Sequence, residues 1–485
     1  MDVEDIRQLE PMLREYLGRF DDCFARKDTR AHLSVYVRGQ LSNLERKSVE
    51  PMALAAGIPA RTLQEFLSQH AWDHERMRDR LQEIVRDGYL GPGAETIGII
   101  DETSMVKKGD KTPGVQRQYL GCVGKRENGI VTVHLGVSVG DFQALLDGDL
   151  YLPESWSRDR ERCRAAKIPD EVVYRPKTEI ALALYDRARA NGLRFDWLTF
   201  DEWYGGQPSF LRALDKRQQR FVGEIPRDFV GWIDPPAVME RPDCRGRSGR
   251  KRPRIVAGSP KAQSVEQLAR SHPALCREDG QPWRIKDGEK GPIVWKVKHV
   301  MLHVKDEDGL PTRCYHLLVC DQPLTGERKY FLSNAPEDTS LKDLLRVAFS
   351  RWPIERCFED QKGEVGLSHW EGRTWLGLQR HLILSAVSHL FLMMACQKLR
   401  GKKSGGDGVP GPAGHQRGGP IVVAEPGGGG AAVPASGESD PLPPASQRPG
   451  AEEPYAGDQT NAQMARHQAQ HPKKSRFRHK LALEF

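Results

Sequence analysis

Between residues 95 and 225 short apolar runs alternate with amphipathic ones, in an order that leaves few folds open. Thr96-Ile-Gly-Ile-Ile100 is a brief β-branched run that stops at Asp101. Residues 119–124 and 130–139 read as two further strands, joined by Arg126-Glu-Asn-Gly129, whose Asn-Gly pair is a hairpin-turn signal. After a long polar connection, residues 178–190 have helical periodicity and a stop at Asn191-Gly192. Residues 195–200 form a strand that stops at Asp201, residues 207–215 a helix and residues 220–225 a strand. Strand, hairpin, helix, strand, helix, strand describes an α/β sheet with an antiparallel hairpin at its start.

The flanking regions differ in kind. Residues 1–90 read as an all-helical region in which Ser48–Leu67 has a helix-turn-helix outline: Pro51 near the first start, Gly57 as a stop, and a second helix from Pro59 carrying Leu63, Phe66 and Leu67 inward. Arg61, Thr62 and Gln64 are then left to face a DNA groove, although an ordinary helical hairpin has the same outline. The α/β region is expected over 91–229 and again, as helices, over 337–400, with a β-rich insertion at 230–336 between them. Strand-like runs in the insertion fall at 293–304, 315–320 and 329–332, and the later helices at 341–349, 354–362 and 378–399. Residues 401–485 are low in complexity. Fourteen glycines and nine prolines within 401–450 leave too little apolar surface to offset chain entropy, so this tail is expected to be disordered.

Composition narrows the setting. The longest apolar run, 382–392, is broken by Ser385, Ser388 and His389 and is too short and polar for a bilayer. The acidic start, Met1-Asp-Val-Glu-Asp5, lacks a signal-peptide layout, and the nine scattered cysteines contain no Cys-x-x-Cys pair. A reduced, cytoplasmic setting without a zinc site is the expectation. The net charge of +7 is a mild excess, but its distribution is uneven. Arg245, Arg247, Arg250, Lys251, Arg252 and Arg254 put six positive charges into ten residues without an acid, as a solvated loop or a phosphate-contacting arm would.

The element order is also the one an RNase H-like domain requires, and in such a sheet the first and fourth strands lie side by side. Asp101 and Asp201, each at the end of its apolar run, would then meet although 100 residues apart. Adjacent carboxylates repel unless a cation lies between them, and Mg²⁺ is the hard, oxygen-seeking candidate. A third acid comes from Arg351-Trp-Pro-Ile-Glu355-Arg-Cys-Phe-Glu-Asp-Gln-Lys362: Glu355 and Lys362 share a helix face two turns apart, and Pro353 places Arg351 just ahead of that helix. Singly, each acid has a plain reading as a cap, turn or solvated side chain. Glu359 and Asp360 compete with Glu355, while Glu102 and Glu202 shadow the aspartates.

Ile99-Ile-Asp101-Glu-Thr-Ser-Met-Val-Lys-Lys-Gly109, Thr199-Phe-Asp201-Glu-Trp-Tyr-Gly205 and the 351–362 block together resemble insertion-sequence DDE transposases with a YREK-type signature, over residues 30–400. The resemblance implies a metal-binding catalytic triad of Asp101, Asp201 and Glu355, with Arg351 and Lys362 on DNA phosphates and Trp352 touching DNA. It implies Mg²⁺, with Mn²⁺ as a substitute, double-stranded DNA at the transposon ends and target as partner, and a homodimer in a synaptic complex. Water activated by the ions would attack a phosphodiester at the transposon end and free a 3′-OH, which then attacks target DNA; two ions about 3.5–4 Å apart serve both displacements. Relatives often form a hairpin with a flipped base stacked on an aromatic, for which Trp295 and Trp352 are candidates. Two departures stand out. The signature tyrosine falls on Ala348, with Phe349 the nearest aromatic, and the glycine-rich tail resembles an out-of-frame reading rather than a helical C-terminus. Alternatives are another RNase H-like nuclease, or a defective remnant of such an element that binds DNA without transposing.

Overall fold

The computed structural model describes residues 3–239, 253–277, 279–288 and 291–403. The basic residues Arg245, Arg247, Arg250, Lys251 and Arg252, and the tail from 404 to 485, lie outside the described residues.

Five helices come first: α1 (Val3–Gly18), α2 (Lys27–Leu41), α3 (Val49–Ala55), α4 (Ala60–Ser68) and α5 (His74–Tyr89). The α3–α4 hairpin turns at Gly57, whose φ of +69° is one that only glycine adopts without strain. Leu63, Phe66 and Leu67 are buried, as their spacing predicts, and Arg61 and Gln64 are exposed. A sheet follows: β1 (Ile97–Val106), β2 (Gln116–Leu120), β3 (Lys125–Val139) and β4 (Phe142–Leu150). Then come α6 (Glu154–Arg158), α7 (Arg160–Ala165), α8 (Lys177–Ala190), β5 (Trp197–Phe200), α9 (Glu202–Gly205), α10 (Pro208–Lys216) and β6 (Val222–Ile225). The fold is mixed α/β. β1 runs antiparallel to β3 and parallel to β5, with β2 and β4 both on β3. A parallel bridge from Leu198 to Phe221 sets β6 beside β5.

The β-rich segment comprises β7 (Val230–Trp232), β8 (Val238–Met239), β9 (Arg254–Ile255), β10 (Gln263–Ser264), α11 (Val265–Ser271), α12 (Pro273–Cys276), β11 (Gln281–Gly288), β12 (Gly291–Lys305), β13 (Pro311–Asp321) and β14 (Arg328–Ser333). Among the described residues it is not a separate body. β14 pairs antiparallel with β6 from Ile225–Tyr330 to Val222–Ser333, so its sheet grows directly from the edge of the first part. Helices α13 (Leu341–Ala348), α14 (Trp352–Gly363) and α15 (Trp375–Lys403) end the described chain.

Helix α15 ties the halves together. By length and composition it could cross a membrane, yet it is mostly buried, packed on β4 and on α1, α2, α4 and α5. Three polar residues along it, His381, Ser385 and Ser388, meet polar partners on α2. Tyr36 donates its hydroxyl to His381 Nδ1 at 2.8 Å, Gln40 donates to Ser385 Oγ at 2.9 Å, and Ser388 donates to Gln40 Oε1 at 2.8 Å. One apolar core therefore runs from Leu13 to Phe391, and the boundary at residue 90 marks a change of secondary structure rather than a gap in packing.

Three local expectations are corrected. The hairpin between β2 and β3 turns at residues 121–124, where Gly124 has φ +64° and donates its amide to Leu120 O. Asn128-Gly129 lies inside β3. A Cβ on Gly129 would sit 2.4 Å from Met105 O, so this glycine serves close strand approach rather than a turn. Strand β4 occupies part of the connection read as polar: Asp147 and Asp149 interrupt its apolar pattern but pair with Arg187 and Arg175. Finally, β1 does not end at Asp101; it continues to Val106 against β3.

Candidate active site

Two ladders of different length place the first two acids. The parallel pairing of β1 with β5 ends at Ile100–Phe200, so Asp101 and Asp201 are the next residues on neighbouring strands. β1 runs on, holding Asp101 opposite His134 of β3, while the chain at Asp201 turns into α9. Asp201 is the N-cap of that helix, with Oδ1 accepting from Trp203 N at 3.1 Å and Tyr204 N at 3.2 Å. The cap fixes the carboxylate at the strand end, a plain structural role that is compatible with a catalytic one.

The third acid arrives on α14. Arg351 is the N-cap residue, with Trp352 and Pro353 in the first turn, so it sits just ahead of the helix as expected. Its guanidinium donates through Nη1 to Asp101 Oδ2 at 2.7 Å and through Nη2 reaches Glu355 Oε1 at 2.8 Å. Asp101, Arg351 and Glu355 thus form one connected group beside Asp201.

The electrostatics are those of crowded carboxylates. Burial, aided by Asp201 and Glu355 and opposed by Arg351, pushes Asp101 up to about 7. Burial likewise pushes Asp201 up to about 6, with Arg351 opposing and Glu102 reinforcing the rise. Burial works against the charge of Arg351, but Asp101, Glu355, Asp201 and Glu224 together hold it firmly protonated. Lys362, two turns along α14 from Glu355, is lowered by burial although Cys122, Asp101 and Glu359 pull it upward. It therefore lies within electrostatic reach of the acids.

Three of the four competing acids pair with cations outside the triad. Asp360 and Glu359 pair with Arg356 at 2.8 and 3.4 Å, and Glu102 pairs with Lys177 at 2.6 Å. Glu202 is pushed to about 7 by burial, with Glu224 and Asp201 adding to the rise. Sequence reasoning missed Glu224, which pairs with Lys329 at 2.9 Å; a charged residue inside the buried run Val222–Ile225 was the available signal. It also missed Trp203, exposed directly after Asp201 and its neighbour, with the Lys177 ammonium 4.9 Å from the ring.

Among the aromatic candidates, Trp352 is 47% exposed at the site, with Lys286 Nζ 5.4 Å from its ring centre. Trp295 is a core residue, 6% exposed and packed on Phe349 at 5.2 Å, so it has no open face for a base. Phe349 also packs on Phe331, and Ala348 is buried, so nothing at the signature tyrosine position faces the acids with a hydroxyl. Arg61 is turned toward Glu65 at 2.7 Å on α4, and Arg254 lies on β9 in a small two-stranded sheet; neither joins the acid group.

As it stands, no group of three His, Cys, Asp or Glu among the described residues is arranged to hold a metal ion, and Arg351 links Asp101 to Glu355. The donor set still fits a divalent cation of the hard type: it is all-oxygen, and its two aspartates are raised first by burial and then by neighbouring carboxylates, both of which a bound cation would offset.

Acids placed at the end of a parallel ladder in a mixed α/β sheet are accompanied by a sequence match of the same meaning. The profile of the DDE superfamily endonucleases matches residues 19–292, and the chain belongs to that family. The matched span includes Asp101 and Asp201 and ends before Arg351 and Glu355. A probable transposase for insertion sequence element IS701 from Microchaete diplosiphon is 33% identical over 207 residues, 40% of this chain and 51% of that protein. The chain thus matches about half the length of this curated relative. Among solved structures, a piggyBac transposase synaptic complex with hairpin DNA is 13% identical, with a TM-score of 0.35 over 77% of this chain and 66% of that one.

Proposed function

We propose that this protein is the DNA transposase of an insertion sequence, cutting phosphodiesters at the element's ends and joining the freed 3′-OH to target DNA. The convergence of Asp101, Arg351 and Glu355 beside Asp201 carries the reading. The order β4-β3-β1-β5-β6, with β5 parallel to β1, supports an RNase H-like core interrupted by the β-rich segment. Asp101, Asp201 and Glu355 would hold the divalent cations, Mg²⁺ or Mn²⁺. Bound there, the cations supply activation of water and stabilisation of the leaving oxygen. Arg351 and Lys362 contribute donors to the phosphates on either side of the reacting one, and exposed Trp352 offers a ring on which a base can stack. Arg61, the basic stretch 245–254 and the α3–α4 hairpin add contacts to duplex DNA. Cutting two ends in concert requires at least a dimer, acting in the cytoplasm on the nucleoid.

Incubating the full chain with Mg²⁺ and a duplex carrying the inverted repeats that flank its own gene tests the reading. Nicking at the repeat boundary that is lost with chelator is expected. DNA binding without cleavage under any divalent cation would favour a remnant that only binds.

A further inference from the structure

We propose that Arg351 is a built-in counter-ion that must leave Asp101 before a metal ion can take its place, so that metal and DNA phosphate favour each other's binding. This rests on the reading of Asp101, Asp201 and Glu355 as metal ligands. The guanidinium spans two acids, at 2.7 Å from Asp101 Oδ2 and 2.8 Å from Glu355 Oε1. The other Asp101 oxygen accepts the backbone amide of Glu102 at 2.7 Å. Both oxygens of Asp101 are therefore committed. A cation that is to bridge Asp101 and Glu355 must take the place of the guanidinium that spans them, and it meets the amide bond on the far oxygen as a second constraint.

The two obstacles are unequal. The Glu102 amide belongs to β1, held against β3 on both sides of the site. Arg351 stands at the junction of two helices, one residue beyond Ser350 and directly before α14, and only its side chain has to rotate. A cation bound at Asp101 and a guanidinium still in hydrogen-bond contact with the same carboxylate would repel strongly in this poorly solvated place. A cation bridging Asp101 and Glu355 and a guanidinium spanning the same two acids exclude each other.

Displacement leaves Arg351, 18% exposed in its side chain, without its acids. A shielded guanidinium requires a new anion. At a site that handles phosphodiesters the arriving anion is a phosphate, and the planar fork of arginine suits two of its oxygens. Metal at Asp101 therefore releases Arg351 toward DNA, and DNA that draws Arg351 away opens Asp101 to metal. Linkage makes the factor the same in both directions. Until both arrive, the arginine partly neutralises the acids and holds α14 against β1.

Mn²⁺ binding to the full chain without DNA, followed by electron paramagnetic resonance, tests this in wild type, Arg351→Gln, Arg351→Lys and Asp201→Asn. Arg351→Gln should bind Mn²⁺ about tenfold more tightly than wild type, within the range of measured coupling between sites. Without metal it should melt below wild type, and Mn²⁺ should raise its melting temperature by more. Arg351→Lys, which keeps the charge but not the fork, should fall between the two and serves if the glutamine variant does not fold. Equal or weaker Mn²⁺ binding by the Arg351 variants, with Asp201→Asn still impaired, overturns the counter-ion and leaves the metal site standing. Mn²⁺ binding absent from every form, or untouched by Asp201→Asn, overturns the metal site and the counter-ion with it.

Discussion

Ile100 and Phe200 are the last paired residues of the parallel ladder between β1 and β5, and this register puts Asp101 and Asp201 next to each other at its end. Asp201→Asn should abolish cleavage, by more than about a hundredfold, since even outer-shell partners of metal ligands commonly reach that loss. The fold should survive, because asparagine caps a helix about as well as aspartate and the bonds to Trp203 N and Tyr204 N can be kept. Duplex binding should change little. A cleavage assay beside a gel shift separates the two effects, and undiminished nicking would remove Asp201 from the mechanism.

The two tryptophans proposed for base stacking should part company. Trp352→Ala should leave the melting temperature almost unchanged and weaken binding to DNA with unpaired bases by about 1–3 kcal/mol, since the ring is exposed. Trp295→Ala should destabilise the protein by about 3–5 kcal/mol, because it empties a core position packed on Phe349. Denaturant melts and fluorescence anisotropy of forked DNA decide both. A folded, fully stable Trp295→Ala with a binding defect would reverse the assignment.

Asp201 was legible as a candidate because its strand is mostly apolar, wholly buried, and stops where the carboxylate begins. Asp101 was legible as a candidate site residue, but its strand runs on to Val106 instead of ending at Asp101. The residues after it look too polar for a strand, yet Thr103 and Ser104 are buried, and Ser104 Oγ accepts the amide of Cys122 at 3.1 Å. Hydropathy cannot register hydroxyls that serve a neighbouring loop. The same blindness hid β4, whose aspartates are matched by arginines on and near α8. That Arg351 faces Asp101, 250 residues away, follows from how α14 docks on the sheet, and no spacing along the chain encodes it.

Gly129 offers a test of the corrected hairpin. If Asn128-Gly129 were an exposed turn, alanine would cost little beyond its backbone preference. Inside β3 its Cβ meets Met105 O at 2.4 Å and Leu120 Cδ1 at 2.5 Å, so Gly129→Ala should destabilise by about 1–3 kcal/mol through overpacking. Urea denaturation measures the difference, and a loss within about 0.5 kcal/mol, usual for an uneventful surface change, would return the turn to Asn-Gly.

The joint between α2 and α15 should make the fold sensitive to acid. The Nε2 of His381 lies 2.9 Å from Leu367 O, an acceptor, so a neutral ring carries its proton on Nε2 and accepts the Tyr36 hydroxyl's hydrogen bond on Nδ1. Burial lowers its pKa from the usual 6.5 to about 4. A lowered histidine pKa means that the unfolded chain binds the proton first. The stabilising contribution is complete above pH 6.5, shrinks as pH falls toward about 4, and stays lost below that. His389 and His134, buried and lowered to about 4 and about 3, act with the same sign. Asp101 and Asp201, raised to about 7 and about 6, act oppositely, since the folded state holds their protons more firmly than the unfolded chain. The histidine share is isolated by replacing His381 with glutamine, which does not titrate and keeps a polar side chain facing Tyr36. Melting temperatures of this variant should be lower than wild type at pH 7.5, with the gap narrowing between pH 6.5 and 4. A gap that stays constant across that window would show that His381 is charged in the folded protein, or that its proton plays no part in stability.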